Sequence, residues 1–272
     1  MIPHRYIQQW RREAPWADDE QVEQDLVISR ALVEIFSNPL LKDALAFRGG
    51  TALYKLYLRP AARYSEDIDL VQVRPEPAGA MLGALRSTFA SWLGQPEWKQ
   101  THGRITLYYR FASESPARMP LQLKIEVNSR EHFSVYGYCD LPFEVASGWR
   151  EGACAIRGFQ LDELLATKLR ALYQRKQGRD LFDLALALED RRVDPQRVVR
   201  AFCEYMARGG HRASRGLFEQ NLRLKLADPI FTADLRPLLA PGLSWDPQAA
   251  SLRVMEELVA RIPGKSRSRP AD

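Results

Sequence analysis

The chain has little of what builds cross-links or histidine–cysteine metal cages. Its three cysteines, Cys139, Cys154 and Cys203, are odd in number and form no CxxC pair. That pattern supports neither a disulfide framework nor a zinc site. Four histidines (His4, His102, His132 and His211) are too scattered for a metal cluster and read as surface residues. No run approaches the roughly 18 apolar residues that a membrane helix needs. The leading segment MIPHRYIQQWRREAPW lacks the apolar core of a secretion signal. Repeats and low-complexity segments are also missing. These absences lead to the expectation of a cytoplasmic protein with reduced thiols and no membrane partner.

What is present describes an ordinary globular chain. Of its 272 residues 46% are hydrophobic and 27% charged, enough for one large domain or two modest ones. The net charge of +5 mildly favours anionic partners, because surface Lys and Arg raise the local concentration of phosphate groups. The basic run Lys265–Arg269 reads as a solvated terminus.

Apolar spacing predicts helices over Pro3–Arg12, Asp18–Phe36, Thr51–Tyr57 and Ala80–Leu93, with Leu40–Phe47 as a short helix or turn. Ser65–Val73 alternates and reads as a strand. The region 99–136 reads as β, with Arg104–Phe111 and Leu121–Asn128 its clear strands. From Leu161 the pattern turns helical: Asp162–Lys176, with Asp162 as its cap, then Asp180–Glu189, Pro195–Met206, Ala213–Leu226 and Pro247–Ile262. The expected fold class is α+β, with an N-terminal lobe over 1–155, a helical lobe over 156–272 and a basic tail at 264–272. The join is expected near Gly152–Gly158.

Four segments carry chemistry. In Phe47-Arg48-Gly49-Gly50-Thr51-Ala52-Leu53 a glycine pair opens a helix, where the backbone can approach a phosphate and free N–H groups can receive it. On its own the segment is an ordinary turn. In Arg63-Tyr64-Ser65-Glu66-Asp67-Ile68-Asp69-Leu70 the carboxylates of Asp67 and Asp69, two apart on a strand, project from one face. Two such charges about 4 Å apart repel by a few kcal/mol at an effective dielectric near 20, and a divalent cation between them relieves this. A solvated strand edge is the plainer account of the pair. Glu126, in Lys124-Ile125-Glu126-Val127-Asn128, becomes a third metal ligand if its strand pairs antiparallel with that of Asp67–Asp69. Simple polar alternation explains it equally well. Lys168 and Arg175 share a helix face and suit a triphosphate. Asp180 and Asp183 lie one turn apart on the next helix, and a surface ion-pair network is the alternative.

As an ordered set these segments resemble the AbiEii/AbiGii family of nucleotidyltransferase toxins, a branch of the DNA polymerase β-like nucleotidyltransferases. The likeness runs from Ala14-Pro15-Trp16 and the Val22–Phe36 helix, through the two motifs around Gly49–Gly50 and Asp67–Asp69, to Arg179-Asp180-Leu181-Phe182-Asp183-Leu184. It implies a nucleotidyltransferase-type mixed or antiparallel sheet with flanking helices, followed by the helical lobe. It also implies roles: Gly49, Gly50 and Thr51 as the phosphate loop, Asp67 and Asp69 as the metal pair, and Lys168 and Asp183 as the later catalytic motifs, with Lys168 meeting the triphosphate. Arg63 and Ser65 would touch phosphate or order the loop. The interval from Gly50 to Asp67 exceeds the usual one, so a longer helix must fill it.

The resemblance further implies an NTP substrate with Mg²⁺ or Mn²⁺, an RNA acceptor such as the tRNA 3′ end, and an antitoxin encoded by a neighbouring gene in an abortive-infection or phage-defence system. A small-molecule acceptor, as in aminoglycoside-modifying enzymes, and a non-catalytic nucleotide- or RNA-binding module are the competing expectations.

Overall fold

The computed structural model describes residues 2–115 and 117–265, so most of the expected basic tail, 266–272, lies outside the described residues. The chain forms two compact units. One runs to Phe159 and takes in Ala240–Gly242; the other is Gln160–Leu239, continued from Leu243. Among the described residues no helix is long and apolar enough to cross a membrane.

The first unit begins with α1 (His4–Trp10), α2 (Asp19–Ser37), α3 (Pro39–Ala44), β1 (Leu45–Arg48), α4 (Gly49–Leu56), β2 (Asp67–Gln72) and α5 (Gly79–Phe89). Five strands follow: β3 (Glu97–Thr101), β4 (Arg104–Ala112), β5 (Pro120–Asn128), β6 (Tyr138–Ser147) and β7 (Arg150–Phe159). Asn38 ends α2 and starts α3, its side chain accepting the Leu40 and Leu41 N–H groups while Pro39 fills the first position.

The seven strands make one mixed sheet in the order β3-β4-β5-β2-β1-β7-β6. β2 runs parallel to β5 and β1 parallel to β7, and the other neighbours are antiparallel. One face is the core. Ile68, Leu70, Ile105, Leu107, Tyr109, Ile125 and Val127 are at most 1% exposed there. They lie beneath α2, which packs on β5, β6 and β7, and α5, whose Phe89 meets Tyr109 edge-on at 5.3 Å. Each such side chain contributes about 1.5–3 kcal/mol of transfer free energy. Strand alternation sends Asp67, Asp69, Lys124, Glu126 and Tyr108 to the opposite face, where all stay partly exposed.

Several expectations change. Leu40–Phe47 divides between α3 and β1. β5 pairs with β2 in parallel, not antiparallel. The physical reason is the excursion through α5 and the β3–β4 hairpin, which returns the chain along the same direction as β2. Residues 152–158, read as the join, lie inside β7, and the change of unit follows Phe159. β6 carries Pro142 within a strand, which costs no ladder bond because β6 is an edge paired only with β7.

The second unit contains α6 (Leu161–Gln174), α7 (Gly178–Ala187), α8 (Pro195–Arg208), α9 (Arg215–Leu226), α10 (Pro229–Ala233) and α11 (Pro247–Glu257). Leu164, Leu165, Leu169, Leu181, Phe202 and Phe218 form its buried centre. Gln160, not Asp162, occupies the N-cap of α6. Asp162 instead accepts from Arg197 Nε at 2.7 Å and from the Asp194 N–H at 3.0 Å. At Gly178 an added Cβ would lie 2.2 Å from the Phe231 carbonyl, so the α6–α7 turn requires glycine for close packing.

Candidate active site

β1 ends at Arg48, directly opposite Asp69 on β2, and α4 starts at the next residue. Gly49 has φ +85°, and a Cβ there would lie 2.2 Å from Asp69 Oδ2. Both facts demand glycine, and together they press the first turn of α4 against the Asp69 carboxylate. No side chain caps α4. The first turn of a helix carries unpaired N–H groups and the positive end of the helix dipole, which here lie beside the Asp69 carboxylate. Gly50 lies in that first turn. Thr51 is buried. Its hydroxyl hydrogen-bonds Ser65 Oγ at 2.9 Å and donates to the Asp67 carbonyl at 2.5 Å, tying the helix start to the strand that carries the acids.

The register places Asp67 beside Lys124 and Asp69 beside Glu126. Lys124 Nζ lies 2.9 Å from Asp67 Oδ2 and 3.5 Å from Glu126 Oε2, and Arg104 Nε lies 3.1 Å from Glu126 Oε1. Arg48 Nη1 lies 3.1 Å from Glu131 Oε2. Burial pushes the Asp69 carboxyl above its ordinary value; Asp67 and Glu126 add to this, while Arg48 and Lys124 oppose it. Burial works against the charge on Lys124, but Asp67, Glu126 and Asp69 outweigh it and hold the ammonium protonated more firmly than usual. At Asp69 burial is the larger cause and the neighbouring carboxylates add to it; at Lys124 the same carboxylates prevail over burial.

A divalent cation fits these acids. Asp67 and Asp69 offer hard carboxylate oxygens from one face, and Mg²⁺ commonly takes one or two protein carboxylates and completes its shell with water and phosphate oxygens. Among the described residues no three His, Cys, Asp or Glu side chains are gathered closely enough to hold a metal. Glu126, expected as a third ligand, lies beside Asp69 in the strand register and is paired with Arg104 and Lys124.

Other expected residues are placed as follows. Arg63 is 2% exposed, donates to the Tyr64 carbonyl at 2.9 Å and stacks over Tyr54 at 5.3 Å, so it orders the segment before β2. Ser65 is half-buried beside Thr51. In the second unit Lys168 Nζ lies 3.1 Å from Asp180 Oδ1 and 2.8 Å from Asp183 Oδ2, with both carboxylates fully buried. Arg175 donates to Asp180 from Nε and Nη2 at 2.7 and 2.8 Å. Burial opposes the charge on Asp180, yet Lys168 and Arg175 overcome it and hold the carboxyl below its usual range. Lys168 and Arg175 thus share one acid, and the set is a buried ion network.

Sequence reasoning missed Lys124 and Arg48 as members of the site. The available signal was Lys124 alternating with Glu126 on the polar side of a strand whose other side is Leu123, Ile125 and Val127.

Residues 30–253 match the family described as nucleotidyl transferase AbiEii toxin of a type IV toxin–antitoxin system. Among solved structures the chain is similar to MenT4, a nucleotidyltransferase toxin from Mycobacterium tuberculosis H37Rv. The TM-score is 0.69 at 17% identity, over 97% of this chain and 91% of that one. It is also similar to JHP933 from Helicobacter pylori, with a TM-score of 0.57 at 19% identity, over 90% of this chain and 93% of that one. At such identities the likeness establishes a shared fold. No curated protein sequence matches significantly. The family match covers most of the chain and agrees with the fold and with the glycine–carboxylate constellation, so this protein belongs to the AbiEii nucleotidyltransferase toxin family.

Proposed function

We propose that this nucleotidyltransferase toxin transfers a nucleoside monophosphate from an NTP to an RNA acceptor, the 3′ end of a tRNA, with Mg²⁺ or Mn²⁺ held by Asp67 and Asp69. The observation that carries the reading is the contact of Gly49 with Asp69, which joins an uncapped helix start to the carboxylate pair. A bound divalent cation would supply charge neutralisation at the phosphates and lower the pKa of an attacking hydroxyl.

The chain's own groups do the positioning. The Gly49 and Gly50 N–H groups receive phosphate oxygens, and Thr51 with Ser65 fixes the helix start to the Asp67 backbone. Lys124 pairs with both Asp67 and Glu126 and balances part of their charge. In the second unit Asp180 pairs with both Lys168 and Arg175 and Asp183 with Lys168, which is 5% exposed, so a triphosphate role for Lys168 requires it to leave this network. The antitoxin partner implied by the family is proposed to be the product of a neighbouring gene.

Incubation with total tRNA and each labelled NTP in turn tests the reading. Label should enter tRNA with one preferred NTP and only with a divalent cation present. Label entering small hydroxyl compounds but not tRNA would replace the acceptor. Failure to bind any Mg²⁺–NTP by calorimetry would remove the catalytic reading altogether.

A further inference from the structure

The face that carries Asp67 and Asp69 continues to the edge of the sheet, exposed at Arg104, Arg110 and all of β3 and half-exposed at Tyr108, with Thr106 buried among them. Strand pairing makes two lateral rows. One runs Arg48–Asp69–Glu126–Thr106–Lys99, and the other Asp67–Lys124–Tyr108–Glu97. Alternation along β4 adds Arg104 and Arg110 to the same side, while Ile105, Leu107 and Tyr109 face the core. β3 is exposed at every residue and pairs only with β4.

The composition of this face is specific. Lys99, Arg104 and Arg110 are exposed, and Tyr108 is half-exposed between them. Lys99 Nζ stands 5.4 Å from the centre of the Tyr108 ring. Glu97, paired with Arg110, and Glu126, paired with Arg104, offset part of this charge, and Asp67 and Asp69 lie at the far end of the same rows. Three strand spacings separate Asp69 from Lys99, about 14 Å. A flat, half-exposed ring among cations, leading from the edge of a sheet to the reacting centre, is the chemistry that holds a single strand of nucleic acid: bases stack on the ring and phosphates meet the cations. A small hydroxyl acceptor needs no such approach.

We propose that the exposed β5–β4–β3 face binds the single-stranded 3′ end of the RNA acceptor, with Tyr108 stacking a base and Lys99, Arg104 and Arg110 meeting its phosphates. The inference rests on the transfer reading above and adds the strand's path and the residues that grip it.

The test measures binding of a short fluorescein-labelled single-stranded RNA with a free 3′-hydroxyl, alone and annealed to its complement. Mg²⁺–NTP binding is followed separately by calorimetry. Tyr108→Ala should weaken single-strand binding about tenfold and Tyr108→Phe should restore it, since one stacked base is worth a factor of that order. The exposed pair Lys99→Ala with Arg110→Ala cannot disturb the core, and should lower the slope of log affinity against log salt by about 1.4. Mg²⁺–NTP binding should not change in any of these variants, and the annealed duplex should bind less tightly than the single strand. Wild-type affinity for the single strand in both Tyr108→Ala and the Lys99/Arg110 double variant would overturn the inference and leave the transfer reading standing. A wild-type protein that binds Mg²⁺–NTP but no RNA would overturn both this inference and the RNA acceptor.

Discussion

Replacing Gly49 by alanine asks how tightly the phosphate-receiving helix start is coupled to the acid beneath it. The left-handed φ of +85° costs an L-residue about 1–2 kcal/mol. The new Cβ would lie 2.2 Å from Asp69 Oδ2 and 3.0 Å from its Cβ and Cγ, so carboxylate or helix must move by about 1 Å to restore ordinary contact. A domain with the usual 5–15 kcal/mol of stability survives the backbone cost. Catalysis does not tolerate the displacement, since misplacement of that size costs on the order of 100-fold in rate. Urea unfolding paired with labelled-nucleotide incorporation separates the two effects. The expected result is a stability loss of about 1–3 kcal/mol with transfer reduced about 100-fold. Gly83→Ala on α5, where nothing lies within 4 Å of the added methyl, is the control and should leave transfer unchanged. Gly49→Ala transferring within threefold of wild type would refute the coupling.

Two further outcomes concern buried acids. Burial raises Glu23 from 4.5 to about 7; its Oε2 accepts the Glu114 N–H at 2.9 Å while Oε1 is buried without a partner. Between those values the folded protein retains a proton that the unfolded chain has lost, so stability falls as pH rises from about 4.5 to about 7, with the whole cost, at most about 3 kcal/mol, present above that. Glu23→Gln should therefore be more stable than wild type at pH 8 by about 2–3 kcal/mol and equal to it at pH 4; equal stability at both values by chemical denaturation would contradict the assignment. Asp180→Ala removes the acid shared by Lys168 and Arg175; Lys168 keeps Asp183 at 2.8 Å, so the cost should be that of the lost charged hydrogen bonds, about 1.5–3 kcal/mol. A loss below 1 kcal/mol would show that the network carries little of the second unit's stability.

How much of this was legible beforehand depends on the range of the interaction involved. The alternation of Asp67-Ile68-Asp69-Leu70 shows both the strand and the shared face of its acids, because that is a local period. The glycine pair marks the start of α4 for the same reason. The direction of β5 was not legible: Lys124-Ile125-Glu126-Val127 alternates identically in either orientation, and the crossover through α5 decides. β1 is only four residues long, and β6 and β7 carry Pro142, Gly152 and Gly158, which dilute the strand pattern. Lys168 lies on α6, but Arg175 is the extended C-cap residue of that helix, so the shared helix face expected from their spacing of seven does not form. Their convergence on Asp180 comes from the packing of α7 against α6, which spacing along one helix does not contain. Lys124 went unread because its significance depends on the strand beside it.

The most direct test of the central claim is nucleotide transfer by Asp67→Ala in the presence of Mg²⁺. Asp67 is partly exposed and Lys124 keeps Glu126 as a partner, so the variant should unfold at nearly the wild-type denaturant midpoint. The account predicts that this folded variant transfers no measurable label from any NTP. Transfer at a rate close to wild type would contradict the assignment of Asp67 and Asp69 as the metal-binding pair.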